Sequence, residues 1–198
     1  MTPPLILASQ SATRVGILRN AGLAFEAVPS AVDERDLEAG LAAATSPGDL
    51  ALALAEAKAS AVAASRREAI VIGADQTLDA EGARWHKPSS RAEARDQLLA
   101  LSGRTHHLRS AVAGIRDGAV RWRHIEAAAL TMRTFGPAEV DAYLDRVGER
   151  ALSSVGAYQI EGPGIRLFER IDGDYFTILG LPLLPLLAWL RREGALDP

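Results

Sequence analysis

Short, wholly apolar runs alternate along this chain with longer stretches whose apolar residues recur every three or four positions, a pattern that predicts an α/β fold. Residues 5–8 read as a buried strand. A small polar loop, Ser9-Gln10-Ser11, follows, and then a helix over about 12–21 that Gly22 stops. Residues 25–28 predict a second strand, and Val32-Asp33-Glu34-Arg35 a polar loop. Ser46-Pro47 pairs an N-cap residue with proline at the first helical position, opening a helix to about Arg66. Residues 69–74 predict a buried strand ending at Asp75. Glu81-Gly82 marks a hairpin tip, and Ser90 with Glu93 forms a capping box for a helix to about Leu101. Two long strands flank Asp117-Gly118, and Pro137 opens a helix to about Val147. Residues 165–171 and 175–179 read as a third hairpin around Asp172-Gly173, and a last helix runs from near Pro182 to Gly194. Three hairpins break any strict β-α alternation, so a mixed sheet is expected rather than a doubly wound Rossmann sheet. No G-x-G-x-x-G and no Walker A sequence is present.

Length and composition narrow the function. A chain of 198 residues suits one large domain or two lobes sharing a core. It holds no cysteine, which excludes disulfides, thiolate metal sites and thiol nucleophiles. Acids number 25 against 22 Lys plus Arg, a formal charge of −3. That balance argues against nucleic acid as partner, and any phosphate site must concentrate its positive charge locally. The N-terminus, Met1-Thr2-Pro3-Pro4, has no basic region of the kind a signal peptide carries. The longest apolar run, 178–190, contains two prolines and is too short to span a bilayer. A cytoplasmic protein without a membrane partner is expected.

Five groups of residues have the types needed for chemistry. Ser9, Ser11, Thr13 and Arg14 follow the first strand and enter a helix. Free backbone N–H groups, the helix dipole and a guanidinium would there converge on an anion; equally, Ser11 can be a plain N-cap and Arg14 a solvated residue. Asp75, in Ile70-Val-Ile-Gly-Ala-Asp75-Gln76, sits where α/β folds place catalytic carboxylates, or else caps a turn. Lys58 lies among alanines and Lys87 precedes Pro88; each can line a cleft or face solvent. Asp33 and Glu34 are suited to Mg²⁺, or to a solvated turn. His86, His106, His107 and His124 show no zinc-binding spacing. Residues 156–164 contain Gly156, Gly162 and Gly164 around Glu161, as in a loop that approaches a ligand closely or in a simple linker.

In order, Leu7-Ala-Ser9-Gln-Ser11-x-x-Arg14, Val32-Asp33-Glu34, Ala55-Glu-Ala-Lys58-Ala, Gly73-Ala-Asp75-Gln76, Lys87-Pro88, Leu101-Ser-Gly-x-Thr-His106, Gly156-Ala-Tyr158-Gln-Ile-Glu161-Gly162 and Gly173-Asp-Tyr175 with Gly180-Leu-Pro182 resemble the Maf family of nucleotide pyrophosphatases. The resemblance spans nearly the whole chain. It implies a single Maf-like domain over 1–198: an elongated α/β fold with a mixed sheet, flanking helices and two lobes around a nucleotide cleft, like the ITPases. It implies a homodimer, a divalent cation (Mg²⁺ or Mn²⁺), and hydrolysis of a nucleoside triphosphate to the monophosphate and pyrophosphate.

By position, Asp75 matches the family's proton acceptor, Lys58 and Lys87 its active-site lysines, and Ser9, Ser11 and Arg14 its phosphate loop. Asp75 and Glu34 match the acids near the metal. Thr13, Gln76 and Glu161 fall at positions tied to base preference. Gln76 and Glu161-Gly162 are similar to the branch acting on 7-methyl-GTP, whereas the branch acting on dTTP and UTP carries Thr and Gln there. The chain departs from both at Ala12-Thr13, where the family usually has Pro and then Arg or Trp; the departure removes an aromatic face for a methylated purine. Two other functions fit the same loop. A nucleotidyltransferase would transfer the nucleotide rather than hydrolyse it, and a non-catalytic regulator of cell division would only bind it.

Overall fold

The computed structural model describes residues 3–42 and 45–196. Met1 and Thr2, which open the N-terminal stretch discussed above, lie outside the described residues. In chain order the elements are β1 (Leu5–Leu7), α1 (Ala12–Asn20), β2 (Glu26–Ala27), α2 (Glu34–Gly40), α3 (Pro47–Ala63), β3 (Ile70–Ala80), β4 (Ala83–Trp85), α4 (Arg91–Leu101), β5 (Thr105–Arg116), β6 (Ala119–Met132) and α5 (Pro137–Val147). Short 3₁₀ segments at Gly148–Ser153, Val155–Ala157 and Pro163–Leu167 lead to β7 (Phe168–Asp172), α6 (Tyr175–Ile178) and α7 (Leu183–Arg192). The strands form one sheet in the order β2-β1-β3-β5-β6-β7, with β4 also pairing β3. β1 runs parallel to β2 and β3, while β3–β4 and β6–β7 are antiparallel, so the sheet is mixed as expected. Among the described residues no helix is long and apolar enough to cross a membrane.

The chain divides into two compact units. The first draws on Met1–Gln76, Arg109–Ala127 and Asp174–Pro198. Its strands β1 and β3 are buried on both faces, which is why they read as unbroken apolar runs. Leu5, Leu7, Ile70 and Ile72 pack with Leu18 of α1 and with Leu186 and Trp189 of α7. The alternate residues Ile6, Ala8 and Val71 pack with Ala59 and Val62 of α3. The second unit draws on Thr77–Leu108 and Ala128–Gly173. In it His106 and Tyr158 form a buried pair, Nε2 to Oη 2.6 Å, with Tyr158 edge-on to Phe168. Burial holds the His106 imidazole neutral, its pKa pushed down to about 4, with the charge of His107 adding to the shift and Asp79 opposing it.

Gly73 sets the distance between α3 and the sheet. A Cβ there would lie 2.0 Å from the Ala55 carbonyl oxygen and 2.9 Å from the Ala59 amide nitrogen. The helix backbone therefore rests directly on β3. Gly73→Ala is expected to destabilise the fold by about 1–3 kcal/mol, an overpacking cost, read from the midpoint of chemical unfolding. An unchanged midpoint would mean that α3 can retreat without loss.

Three expectations need correction. β3 does not end at Asp75; it continues to Ala80, because Leu78 and Ala80 are buried and pair with Trp85 and Ala83 of β4. Asp33 and Glu34 do not lie in a plain loop, since Asp33 Oδ1 accepts from the amides of Arg35 (2.9 Å) and Asp36 (3.1 Å) and thereby caps α2. That helix has no buried residue, so no apolar stripe announces it. Finally, residues 175–178 are a helix rather than a hairpin strand. Asp174 accepts from the Thr177 amide at 2.9 Å and turns the chain out of β7.

Candidate active site

β1 ends in the loop that starts α1. Ser9 Oγ accepts from the Ser11 amide at 3.2 Å, and Ser11 Oγ accepts from the Arg14 amide at 3.4 Å as the N-cap of α1. These bonds fold the loop over the helix N-terminus. The amides of Ala12 and Thr13, in the first turn, have no carbonyl four residues back within the helix. Arg14 donates through Nε to the Gly180 carbonyl (2.8 Å) and through Nη1 to the Ala74 carbonyl (2.9 Å). Two of its five N–H groups are thus committed, which fixes the plane of the guanidinium and leaves three donors for a ligand. Desolvation pulls the guanidinium below its ordinary pKa, while the carboxylates of Asp75 and Glu34 pull it back up. Both acids therefore act electrostatically on Arg14.

On β3, Asp75 follows Gly73 by two residues and shares its side of the strand. Because Gly73 lets α3 approach, Lys58 on that helix reaches Asp75 and makes a short, buried ion pair with its Oδ1. The same ammonium lies 2.6 Å from Glu34 Oε1, at the first turn of α2. Lys58 and Asp75 are each 8% exposed. A buried lysine held between two carboxylates is costly to assemble unless both charges are compensated, and Arg14 supplies the second cation.

The structure thus brings Ser9, Ser11, Arg14, Glu34, Lys58 and Asp75 into the first unit, along with Thr13, half-buried in the opening turn of α1. Gln76 points to the opposite side of β3 from Asp75, because side chains alternate along a strand. Its amide nitrogen meets Ser110 Oγ at 2.8 Å and the carbonyls of Thr177 and Ile178 at 3.1 and 3.0 Å. Lys87 is exposed in the loop after β4, in the second unit. Glu161 belongs to that unit too, where it lines a cavity of about 100 Å³ with Tyr143, Arg150, Gln159, Gly162 and Gly164. Ser110 and Thr177, both fully buried, were not singled out from the sequence. Ser110 stands between Arg109 and the apolar run 111–115 of β5, a setting that carries little signal in the sequence.

The Maf family profile, described as Maf-like protein, matches residues 4–193. The chain belongs to the Maf family. Curated relatives include a 7-methyl-GTP pyrophosphatase of Mesorhizobium japonicum, 58% identical over 198 residues and 100% of both chains. A 7-methyl-GTP pyrophosphatase of Rhizobium meliloti is 56% identical over the same full lengths. A nucleoside triphosphate pyrophosphatase of Nitrobacter winogradskyi is 51% identical over 98% of this chain and 96% of its own. The matched Maf span contains each of the site residues named above, from Ser9 to Glu161.

Proposed function

We propose that this Maf protein hydrolyses a nucleoside triphosphate between the α- and β-phosphates, releasing the monophosphate and pyrophosphate. The observation that carries the reading is Lys58, buried between Asp75 and Glu34, in a site whose carboxylates also act on Arg14. Acid and base types held together under burial suit chemistry better than simple retention of a nucleotide. The full-length relatives named as pyrophosphatases support it.

A polyphosphate fits the α1 N-terminus, where amide N–H groups, the Ser9 and Ser11 hydroxyls and the free donors of Arg14 all favour negative charge. Asp75 accepts the proton of the attacking water or fixes its orientation, and Lys58, paired with it, holds that carboxylate in place. Arg14 and Lys58 offset the charge that gathers on the leaving pyrophosphate. Among the described residues no three His, Cys, Asp or Glu side chains converge as a ligand set. Asp75 and Glu34, meeting on one ammonium, are nevertheless a donor pair suited to Mg²⁺ or Mn²⁺, which take few carboxylates and fill the remaining positions with phosphate and water oxygens. Such an ion would supply Lewis-acid neutralisation of the phosphate oxygens.

Glu161, in the second unit, stands at a position that the family resemblance ties to base preference. Its carboxylate can accept from the N1–H and the exocyclic amine of a guanine, and it complements the positive charge that 7-methylation places on the ring. The names of the relatives point to the same substrate. The protein is proposed to work as a cytoplasmic homodimer. Pyrophosphate release is to be measured with Mg²⁺ over dTTP, UTP, CTP, GTP and 7-methyl-GTP. Hydrolysis with the highest kcat/KM for 7-methyl-GTP is expected. Bound nucleotide without hydrolysis across the panel would favour the regulatory reading, and turnover only with an acceptor would favour a nucleotidyltransferase.

A further inference from the structure

Gln76 occupies a position where the family resemblance implies base recognition, yet its amide nitrogen is already committed. Its nitrogen faces two backbone carbonyls, Thr177 and Ile178, together with Ser110 Oγ. Carbonyl oxygens can only accept, so the group facing them is the NH₂, and its two hydrogens are shared among three acceptors. Both donors of Gln76 are thus taken, and only its Oε1 remains to meet a ligand. Ser110, fully buried on β5, donates through Oγ to the same Thr177 carbonyl at 2.7 Å. Asp174 fixes the same turn from its start by accepting from the Thr177 amide at 2.9 Å, and the Gly180 amide donates to the Thr177 carbonyl at 3.0 Å. The Thr177 carbonyl is thus the point on which Gln76, Ser110 and Gly180 converge.

What this clamp fixes is the carbonyl of Gly180, three residues further on. Gly180, at φ +90°, turns its oxygen onto Arg14 Nε at 2.8 Å. A Cβ at Gly180 would stand 3.3 Å from Arg14 Nη2. The guanidinium is therefore oriented by two carbonyls. One, Ala74, is built into β3; the other is only as well placed as the turn after α6. We propose that Gln76 and Ser110 are positioning residues that act through the 177–180 turn to aim Arg14 at the substrate phosphates. The proposal rests on Arg14 binding phosphate, as set out under the proposed function. Removing either clamp group frees the turn, lets the Gly180 carbonyl drift, and loosens the guanidinium.

The test uses Gln76→Met, which keeps length and removes the donors, and Ser110→Ala, which removes the same anchor from the neighbouring strand. Each is made in the wild-type and in the Arg14→Ala background, with thermal melts to set an assay temperature at which every variant is folded. In the wild-type background each is expected to lower kcat about 10-fold, as a displaced catalytic-site group would. In Ser110→Ala the ratio of kcat/KM for 7-methyl-GTP to that for GTP should stay as in the wild type. In the Arg14→Ala background neither should cost anything further, because the group they position is gone. A shifted 7-methyl-GTP to GTP ratio in Ser110→Ala would overturn the proposal. Unchanged kcat in both variants, or losses that multiply with that of Arg14→Ala, would overturn it as well. If Arg14→Ala itself leaves kcat intact, the phosphate-binding reading of Arg14 fails first, and that result is separate from the behaviour of the clamp.

Discussion

Replacing Asp75 by asparagine is expected to lower kcat for triphosphate hydrolysis by about two orders of magnitude or more, the loss typical of a missing general base. Asparagine keeps the shape and volume of the side chain, so the packing of β3 against α3 changes little. What changes is charge. The buried Lys58 ammonium loses one of its two carboxylate partners and keeps only Glu34, which is far more exposed. The attacking water loses its acceptor at the same time. The measurement is the steady-state rate of pyrophosphate release at saturating substrate, with the unfolding midpoint recorded alongside. A variant that folds normally and retains a rate near the wild type would remove Asp75 from the chemistry and leave its pair with Lys58 as a structural feature only.

Arg14→Ala is expected to cost about 10²-fold in kcat, the scale seen when one preorganised donor to a developing charge is removed. The size of the effect follows from preorganisation. With Nε and Nη1 held by Gly180 and Ala74, the remaining donors are aimed before substrate arrives, and no ordering is needed during the reaction. Arg14→Lys should recover little of the loss, because an ammonium with three donors on a flexible stem cannot satisfy both carbonyls and a phosphate in one plane. Comparing kcat and KM for the two variants decides the matter. Wild-type kinetics in Arg14→Ala would mean that the guanidinium serves only to tie β3 to the turn at Gly180.

The two carboxylates and two cations invoked here come from four separate elements: α2, α3, β3 and α1. Their residue types and local settings were visible along the chain, but each had an unremarkable reading as a cap, a turn or a solvated charge. The juxtaposition of Lys58 with Asp75 depends on the close approach that Gly73 permits, and a sequence shows the glycine without showing what rests on it. The position of Glu34 beside Lys58 depends on α2, a helix with no buried face. Hydrophobic periodicity cannot reveal such a helix; only the Asp33 cap at its start foreshadowed it.

By itself the sequence determined the α/β class, the mixed sheet, most helix boundaries and the tight turns at Glu81-Gly82 and Asp117-Gly118. These follow from local causes: periodicity, capping hydroxyls and the positive φ adopted at Glu81, Gly82, Asp117 and Gly118. The tertiary structure alone decided how far β3 runs, that residues 175–178 coil rather than extend, and that Gln76 turns its amide nitrogen onto backbone carbonyls. The physical reason is common to all three. A strand end, a four-residue helix and an amide's choice of partner each differ from their alternatives by little locally, so long-range burial and hydrogen bonding settle them, through partners such as Trp85 for Leu78 and Thr177 for Gln76.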